Sequence, residues 1–513
     1  MPVLLQCVPE SAIVVGYDFS TTSAKALAFD LAGRVVAEAQ QPTRLYTAGG
    51  VAEMDLAMLA GQVAGVTRTL AGHLREAGRL ADWRAVGISA THHTAGRIDA
   101  AGNQVRRAIC WMDQTLAKYH AEGVARLGGP DAVAALIGGP WAERYTLSHL
   151  VKDETTLPAE DWEQTRWIAQ HGSLAAGYLT GRFDCVSRSA AASTGMLNLR
   201  TGQWADAMLG ALADPGHRTQ ARANLPAILA EHDPVGPLSA AVAADAGIDP
   251  SRAPLVFPTL DDQAAGLVGG GAVDAGQVAV ILGTSAVVNS SSAAAPRSGS
   301  LDAMRLNWGP YLWMRCYSNG ALFLDRVVGP DPDWPALERA ARAVPPGAGG
   351  VTVLPFLLSE PSIGVSAPHV AWSPAEPTDP GVRVRAVFEA LSYLIALAVR
   401  EHEAAGQVVT RVTVSGGVAR SDLMTEILAS VLDRPLERLQ SAEGPALGAA
   451  VAALAGLESV GRVRQGIAEP YTVADAVGRM VRFRSPATPR PEWVPAYRSG
   501  LAAFGGAVAG LRG

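Results

Sequence analysis

Two segments of the same kind lie far apart in this chain. Residues 13–30 are IVVGYDFSTTSAKALAFD, and residues 278–289 are VAVILGTSAVVN. Each combines an apolar strand, a tight run of Gly, Thr and Ser, and a second strand, which predicts a β-hairpin. Small hydroxyl residues and free backbone N–H groups in such turns suit a polyanion, because no bulky side chain blocks its approach. Two facing turns would hold a nucleotide triphosphate from both sides, although either segment alone also fits an ordinary hairpin.

Composition excludes several classes of protein. The 513 residues are enough for two or three domains, and no run of about 20 apolar residues predicts a membrane span. The net charge of -6 argues against non-specific binding to nucleic acid or to an acidic membrane. Four scattered cysteines offer no metal or disulfide spacing, and the first ten residues do not resemble a secretion signal. We therefore expect a cytoplasmic protein.

Alternating strand-like and helix-like stretches predict an α/β fold with two related halves around a cleft. Loop-rich sequence near residues 225–237 suggests a boundary. We predict a first domain over residues 11–249, a second over 250–475 and a tail over 476–513. Trp493 and Tyr497 are the expected anchors of that tail.

The first hairpin carries a candidate metal ligand. Asp18 ends a predicted strand directly before Ser20, Thr21, Thr22 and Ser23. A carboxylate beside a phosphate-sized turn is well placed to hold Mg²⁺, directly or through water. Lys25 on the outgoing strand fits a phosphate contact and a solvated lysine equally well.

Two consecutive acids form the next cluster. Asp261 and Asp262 follow an apolar strand and open a helix of small residues. One of them would cap the helix through its N–H groups, which leaves the other free to point into a cleft. A carboxylate there would accept the proton of an attacking hydroxyl, as phosphoryl transfer requires.

Two glycine-containing segments in the second half have both a ligand-binding and a packing interpretation. Gly416 and Gly417 lie between a strand and a helix, where they would let a purine lie flat on the backbone or simply make a tight turn. Residues 443–450 open a helix of very small side chains. That helix would pack under a ligand or against a sheet.

Polar residues also follow two strands of the first half. His92 and His93 have no third histidine or cysteine at metal spacing, so zinc is not expected. They would donate hydrogen bonds to hydroxyl groups, or one would be structural. Trp111 and Asp113 form a Trp-Met-Asp-Gln sequence that could present sugar hydroxyls, although Trp111 also fits a core position.

These segments, in this order, resemble the FGGY carbohydrate kinases, and the xylulokinase-like branch most closely. The resemblance covers nearly the whole chain and includes SRSAAASTGMLNLRTGQW, LDDQAAGLVGG, VSGGVARSDLM and EGPALGAAVAAL. It implies two actin-like, ribonuclease-H-like domains that close over ATP, with Mg²⁺, and a small sugar. A homodimer would be ordinary for such a family.

The resemblance also implies roles for individual residues. Asp262 takes the catalytic-base position and also touches the substrate, because Asp261 falls on the family's usual Gly. Asp18 takes the metal position, and His92, His93 and Asp113 take sugar-binding positions. The remaining matches are ATP-binding positions: Thr21, Thr22, Ser23, Gly283, Thr284, Ser285, Gly416 and Gly417.

Four residues depart from the family pattern. Ser20 stands where the family usually has Gly, and Thr91 stands where it has Gln. Thr115 stands where an Arg often follows the Trp-x-Asp element, and Pro361 replaces the Arg of a Gly-Glu-Arg element. The catalytic and phosphate positions match better than the substrate positions. We expect transfer of the γ-phosphate of ATP to a terminal hydroxyl of a small sugar, with a ketopentose such as D-xylulose as the leading candidate. The alternatives are another polyol (tetrulose, heptulose, sugar acid or glycerol) and, from a different class, a sugar sensor or an actin-like ATPase scaffold.

Overall fold

The computed structural model describes residues 7–297, 301–441 and 443–511. Most of the ten-residue opening on which the secretion argument rests lies outside these ranges. Both predicted hairpins form: residues 13–19 pair antiparallel with residues 24–30, and residues 278–282 pair antiparallel with residues 286–290. The hairpins belong to two separate sheets of seven strands each.

The first half of the chain contains the following strands and helices: β1 Ile13–Phe19, β2 Ser23–Asp30, β3 Val35–Pro42, β4 Tyr46–Ala48, β5 Val51–Met54, α1 Leu56–Glu76, β6 Trp83–Ala90, β7 Ala95–Ile98, β8 Gln104–Ile109, α2 Ala117–Arg126, α3 Pro130–Ile137, α4 Thr146–Thr156, α5 Ala159–Gln164, β9 Trp167–Gln170, α6 His171–Thr180, β10 Cys185–Val186, α7 Arg188–Ala192, β11 Leu197–Asn198, β12 Gln203–Trp204, α8 Pro215–Ala223, β13 Ala227–Ile228, β14 Gly236–Pro237, α9 Ala240–Ala246, β15 Leu255–Val256, β16 Leu260–Asp261 and α10 Asp262–Gly269.

The second half continues with β17 Gln277–Leu282, β18 Ala286–Ser292, β19 Asp302–Arg305, β20 Tyr311–Tyr317, α11 Ala321–Val328, α12 Trp334–Ala343, β21 Thr352–Phe356, β22 His369–Ser373, α13 Pro380–Ala404, β23 Arg411–Ser415, α14 Asp422–Leu432, β24 Leu436–Leu439, α15 Gly444–Gln465, α16 Val473–Met480, β25 Phe483–Ala487 and α17 Val494–Ala509.

The two large sheets share one local arrangement. In the first, the order β14-β15-β6-β1-β2-β3 places β1 antiparallel to β2 and parallel to β6. In the second, the order β19-β20-β18-β17-β23-β24-β25 places β17 antiparallel to β18 and parallel to β23. In each sheet, therefore, the two central parallel strands have their carboxyl ends on the same side. The carboxyl ends of parallel strands are where α/β proteins bind ligands. The predicted α/β fold with two related halves is confirmed.

Helix α15 joins the two halves by close packing. A Cβ on Gly16 of β1 would lie 1.8 Å from the carbonyl oxygen of Ala446, so only glycine allows this approach of strand to helix. The helix is long and apolar enough to cross a membrane by length and composition, yet 67% of its apolar window is buried inside the protein. Of the two sequence interpretations, packing against a sheet accounts for its small side chains.

The end of the chain forms a helix that the sequence did not predict. Helix α17 packs on α13 and α14, and Tyr497 is fully buried with its hydroxyl accepting a hydrogen bond from Arg385. The Trp493 ring lies against the same guanidinium, with the Cζ atom of Arg385 4.6 Å from the ring centroid. Both anchor residues expected from the sequence thus attach this segment to the core.

Strands β15 and β16 pair with β6 of the first sheet, although they lie beyond residue 250. The predicted limits of the units, 11–249, 250–475 and 476–513, stay predictions. This pairing fixes the positions of Asp261, the last residue of β16, and of Asp262, which follows it directly.

Candidate active site

Three parallel strands of the first sheet end together and bring two acids to one edge. Asp18 lies near the end of β1, opposite Ser89 of β6, and its carboxylate accepts a hydrogen bond of 2.8 Å from the Ser89 hydroxyl. Strand β16 ends beside β6 as well, and Asp262 follows it directly. Burial raises the pKa of Asp18 to about 6. The site therefore begins with two carboxylates at the carboxyl end of one sheet.

The turn after β1 is closed by Ser20. Its hydroxyl donates to the Ser23 carbonyl oxygen at 3.0 Å and accepts from the backbone N–H groups of Thr22 and Ser23 at 3.3 and 3.0 Å. The sequence prediction of free N–H groups in this turn is therefore wrong for Thr22 and Ser23. The hydroxyl occupies both groups, a contact that the family's usual glycine could not make. Thr21 and Thr22 remain partly or fully accessible.

Of the two adjacent acids, one caps helix α10 and the other is free, and the structure shows which is which. Asp261 caps α10, because its Oδ1 accepts from the backbone N–H groups of Gln263 and Ala264 at 3.0 and 2.9 Å, and its Oδ2 accepts from Ser189. Such a cap stabilises a helix by about 1 kcal/mol. Asp262 is then the acid that is free to act. Burial raises its pKa to about 8, and the charges of Asp261 and Asp18 add to that effect.

Substituting Asp261 tests this electrostatic coupling. Asp261→Asn keeps an N-cap but removes the charge that raises the pKa of Asp262. Because the base must be deprotonated, we expect the acidic limb of kcat/KM, near pH 8 in the native protein, to move to lower pH. Asp245→Asn, at an exposed ion pair with Arg68, is the matched control and should leave the limb in place. An unmoved limb in Asp261→Asn would contradict the coupling.

The histidine pair lies beside these acids. The His92 and His93 rings stack with centroids 3.8 Å apart, and His93 stacks in turn on Tyr145 at 4.3 Å. His93 Nδ1 lies 3.0 Å from the Ser193 carbonyl oxygen, so Nδ1 carries the proton and donates, which leaves Nε2 as an acceptor. The expectation that His93 donates a hydrogen bond to a hydroxyl is therefore wrong for Nε2. Burial lowers the pKa of both histidines, so both are neutral at physiological pH. His93 also has a left-handed backbone, with φ of 56°.

The second hairpin turn and the loop that follows β23 meet at the edge of the other sheet. Gly283 donates its N–H to the Ser285 carbonyl oxygen at 3.0 Å, which closes the turn around an exposed Thr284. Gly416 follows the parallel strand β23 with φ of +95°, and a Cβ on it would lie 2.3 Å from the Leu282 carbonyl oxygen. Gly416 is therefore pressed against the start of the 283–285 turn. Gly417 beside it is exposed.

Glu360 stabilises the 283–285 turn indirectly, through residues 318–320. Its carboxylate accepts from the backbone N–H of Ser318 at 2.7 Å and from the Asn319 amide at 3.0 Å. The next residue, Gly320, donates to the Thr284 carbonyl oxygen at 3.0 Å. The segment that departs from the family pattern at Pro361 thus supports the second turn through a carboxylate.

An ion pair spans the two halves near the histidines. Arg144 precedes α4 and binds Asp302 at the start of β19 in the second sheet. The Tyr145 hydroxyl lies 3.5 Å from the same carboxylate, and its ring continues the stack of the histidine pair. The charge of Arg144 further lowers the pKa of His92, after burial. Nothing in the sequence pattern pointed to Arg144, Tyr145 or Asp302.

Asp113 has local partners. Its carboxylate accepts from the backbone N–H groups of Ala52 and Thr115 at 3.1 and 2.8 Å and lies 3.6 Å from the Lys152 ammonium. Burial alone would raise the pKa of Asp113, but the hydrogen bonds from Thr115 and Ala52 hold it below its usual value. Lys152 also donates to the Thr115 hydroxyl at 2.8 Å, so a cation lies next to the position where the family resemblance places an arginine. The sugar-binding role of Asp113 stays a prediction.

Comparison with known families now identifies the chain. The N-terminal domain model of the FGGY family of carbohydrate kinases matches residues 13–269, and the C-terminal domain model matches residues 278–457. The chain belongs to the FGGY family of carbohydrate kinases. The resemblance noted from the motifs is confirmed, and this FGGY kinase contains both the N-terminal and the C-terminal domain of the family.

Individual relatives of this FGGY kinase agree with that placement. It is 29% identical to the xylulose kinase of Streptomyces rubiginosus over 86% of this chain and 88% of the relative. It is 29% identical to the glycerol kinase of Methylorubrum extorquens (strain PA1) over 85% and 88%. A crystal structure of gluconate kinase from Lactobacillus acidophilus superposes with a TM-score of 0.83 over 98% of both chains at 19% identity, which shows the shared actin-like fold.

The residues of this FGGY kinase fit a nucleotide and a divalent cation. Asp18 and Asp262 each sit where burial raises the carboxyl pKa, and the charge of Asp18 raises the pKa of Asp262 further. A bound cation would relieve both effects. The 283–285 turn with Gly416 and Gly417 offers backbone without bulky side chains. As a kinase of this family, the protein uses ATP as a substrate.

Proposed function

We propose that this protein transfers the γ-phosphoryl group of ATP to a terminal hydroxyl of a small sugar, with a ketopentose such as D-xylulose as the leading candidate. The observation that carries the proposal is Asp262. It is the acid left free after Asp261 caps α10, and it lies at the strand edge shared with Asp18 and the histidine pair.

Asp262 acts as the general base in this proposal. One of its oxygens, Oδ1, makes no hydrogen bond within the described parts of the chain, so it is available to a substrate hydroxyl. A base with a pKa of about 8 holds the proton of an alcohol more readily than an ordinary aspartate does. Asp262 would therefore take the proton as the alcohol oxygen attacks the γ-phosphorus.

The two turns supply positioning. Thr21, Thr22 and Ser23 from the first hairpin and Gly283, Thr284 and Ser285 from the second would hold the phosphates, with Gly416 and Gly417 beneath the nucleoside. Asp18 would hold Mg²⁺, directly or through water; when bound, the ion would neutralise part of the triphosphate charge. Phosphoryl transfer asks little covalent chemistry of the protein, so the orientation of these groups carries most of the catalysis.

His93 is the residue that we expect to recognise a sugar hydroxyl. Its Nε2 makes no hydrogen bond within residues 7–297, 301–441 and 443–511, and the fixed tautomer makes this atom an acceptor. A xylulose kinase relative aligned over most of the chain supports a ketopentose. The glycerol kinase relative of equal identity supports another polyol as the second candidate. The cytoplasmic location, the homodimer and the lack of nucleic-acid or membrane partners stay predictions.

A substrate screen tests the proposal. ADP release is measured with ATP and Mg²⁺ against a panel of ketopentoses, tetruloses, heptuloses, sugar acids and glycerol. We expect the highest kcat/KM with a ketopentose. A higher kcat/KM with glycerol or a sugar acid would replace the substrate and keep the reaction, whereas ADP release that no member of the panel changes would contradict the kinase proposal.

A further inference from the structure

Three potential metal ligands lie together at the catalytic edge. His92, Asp261 and Asp262 each offer one ligand atom, and these atoms lie within 4.8 Å of one another. His92 Nδ1 is 3.8 Å from Asp261 Oδ1. A tetrahedral ion with bonds of about 2.0–2.2 Å holds its ligand atoms about 3.4 Å apart. Small rotations of the His92 and Asp262 side chains would therefore bring the set to coordination distance.

His92 lacks any other partner for its polar atoms. Its side chain is 6% exposed, and neither ring nitrogen makes a hydrogen bond to any part of the chain that the structure describes. A buried polar group without a partner destabilises the folded state, because it has lost its hydrogen bonds to water. A bound cation would remove this cost and would also compensate the repulsion between Asp261 and Asp262.

We propose that His92, Asp261 and Asp262 form a binding site for a borderline divalent cation such as Zn²⁺, and that the ion inhibits the kinase by occupying its base. This inhibitory role rests on the proposed function, whereas the binding itself does not. The site is separate in its ligands from the Mg²⁺ position expected at Asp18. The sequence argument against zinc counted only histidines and cysteines, and the fold supplies two carboxylates instead.

The ligand types select the kind of ion. A neutral imidazole favours Zn²⁺, Co²⁺ or Ni²⁺, whereas Mg²⁺ prefers oxygen ligands and releases its waters reluctantly. Asp261 is a rigid ligand, because two backbone N–H groups and Ser189 hold its carboxylate in place. Asp261 stands where the family resemblance places a glycine, so one ligand of the cluster is a departure from the family pattern.

Occupation of the site would stop the reaction in a defined way. The lone pair of Asp262 that accepts the substrate proton would be bound to the ion, so the alcohol would keep its proton and no phosphoryl group would be transferred. The effect requires no oxidation or covalent change and is reversed by a chelator.

Metal binding is tested on the whole protein without sugar or ATP. Co²⁺ is titrated while its visible d–d absorption is recorded, and Zn²⁺ is then added to displace it in the presence of excess Mg²⁺. We expect one equivalent to bind the native protein, and at least 10-fold weaker binding in His92→Met, a nearly volume-conserving change. Asp261→Asn, which keeps the helix cap, should weaken binding too. His369→Met, on the exposed strand β22, is the matched control and should bind like the native protein.

Two results would overturn the proposal: no stoichiometric Co²⁺ or Zn²⁺ binding by the native protein, or equal affinity in His92→Met, Asp261→Asn and the native protein. Inhibition is then measured as the Zn²⁺ concentration that halves sugar-dependent ADP release, which should rise at least 10-fold in Asp261→Asn. Binding without any sugar-dependent ADP release would preserve the metal site and contradict the proposed function instead. Binding without inhibition would overturn the inhibitory role.

Discussion

Replacing Asp262 with Asn is expected to lower kcat for sugar phosphorylation by about 10²–10⁴-fold, because a general base typically accelerates a reaction by that factor. The affinity for ATP should stay nearly unchanged. Oδ1 of Asp262 has no hydrogen-bond partner among the described residues, so the substitution removes no contact of that atom. Steady-state kinetics and a nucleotide-binding isotherm separate the two quantities. Asp274→Asn, at an exposed position of the second half, is the matched control.

The same variant should be more stable than the native protein at alkaline pH. Folding raises the pKa of Asp262 from 3.8 to about 8, so the folded state holds a proton that the unfolded state releases between these values. Stability therefore falls as pH rises through that window, and the Asn variant lacks this loss. We expect its Tm to exceed the native Tm increasingly from about pH 4 to about pH 8. A Tm difference that does not change with pH, or near-native kcat, would remove Asp262 from the role of buried base.

Replacing Gly283 with Val is expected to raise the Kd for ATP at least 10-fold, a loss of about 1.4 kcal/mol, without unfolding the protein. A Cβ at this position would meet nothing closer than the Ser285 carbonyl oxygen at 3.8 Å, so the protein itself has room for a side chain. The added methyl groups would instead occupy the space that we assign to the phosphates. Isothermal titration with ATP and a thermal melt measure the two effects.

Gly61→Val is the matched control for that substitution. Gly61 lies in α1, where a Cβ would meet no atom within 4 Å, and α1 belongs to the first half, away from the second hairpin. Its nucleotide affinity should stay native. Equal ATP affinity in Gly283→Val and the native protein would show that the 283–285 turn does not contact the nucleotide.

Much of the fold followed from periodicity and turn chemistry. The amphipathic pattern of residues 382–405 predicts a helix, which is α13. The apolar runs at residues 84–90 and 411–417 predict strands, which are β6 and β23. These elements are long or strongly apolar, so local pattern decides them. Helix α17 was not predicted because its sequence contains Pro495 and three glycines, which are weak helix formers. It forms because Tyr497 and its neighbours bury an apolar face on α13.

The roles of site residues could be predicted where those residues are adjacent in the sequence. They could not be predicted where the fold brings distant residues together. The sequence argument predicts that one of the two adjacent acids caps α10, and the structure shows that this acid is Asp261. The Ser20 hydroxyl, by contrast, occupies N–H groups that a motif alone treats as free. The contacts of Arg144 with Asp302, and of His92 with the two acids, join segments more than a hundred residues apart in the chain. Only tertiary structure brings such groups together.

The stoichiometry of the reaction tests the central claim most directly. ADP released and phosphorylated sugar formed are measured in the same mixture, with and without the best sugar of the screen. The account predicts one phosphorylated sugar for each ADP and almost no ADP release when sugar is omitted. ADP released at the same rate without sugar, with no phosphorylated product, would contradict it and would indicate an actin-like ATPase instead.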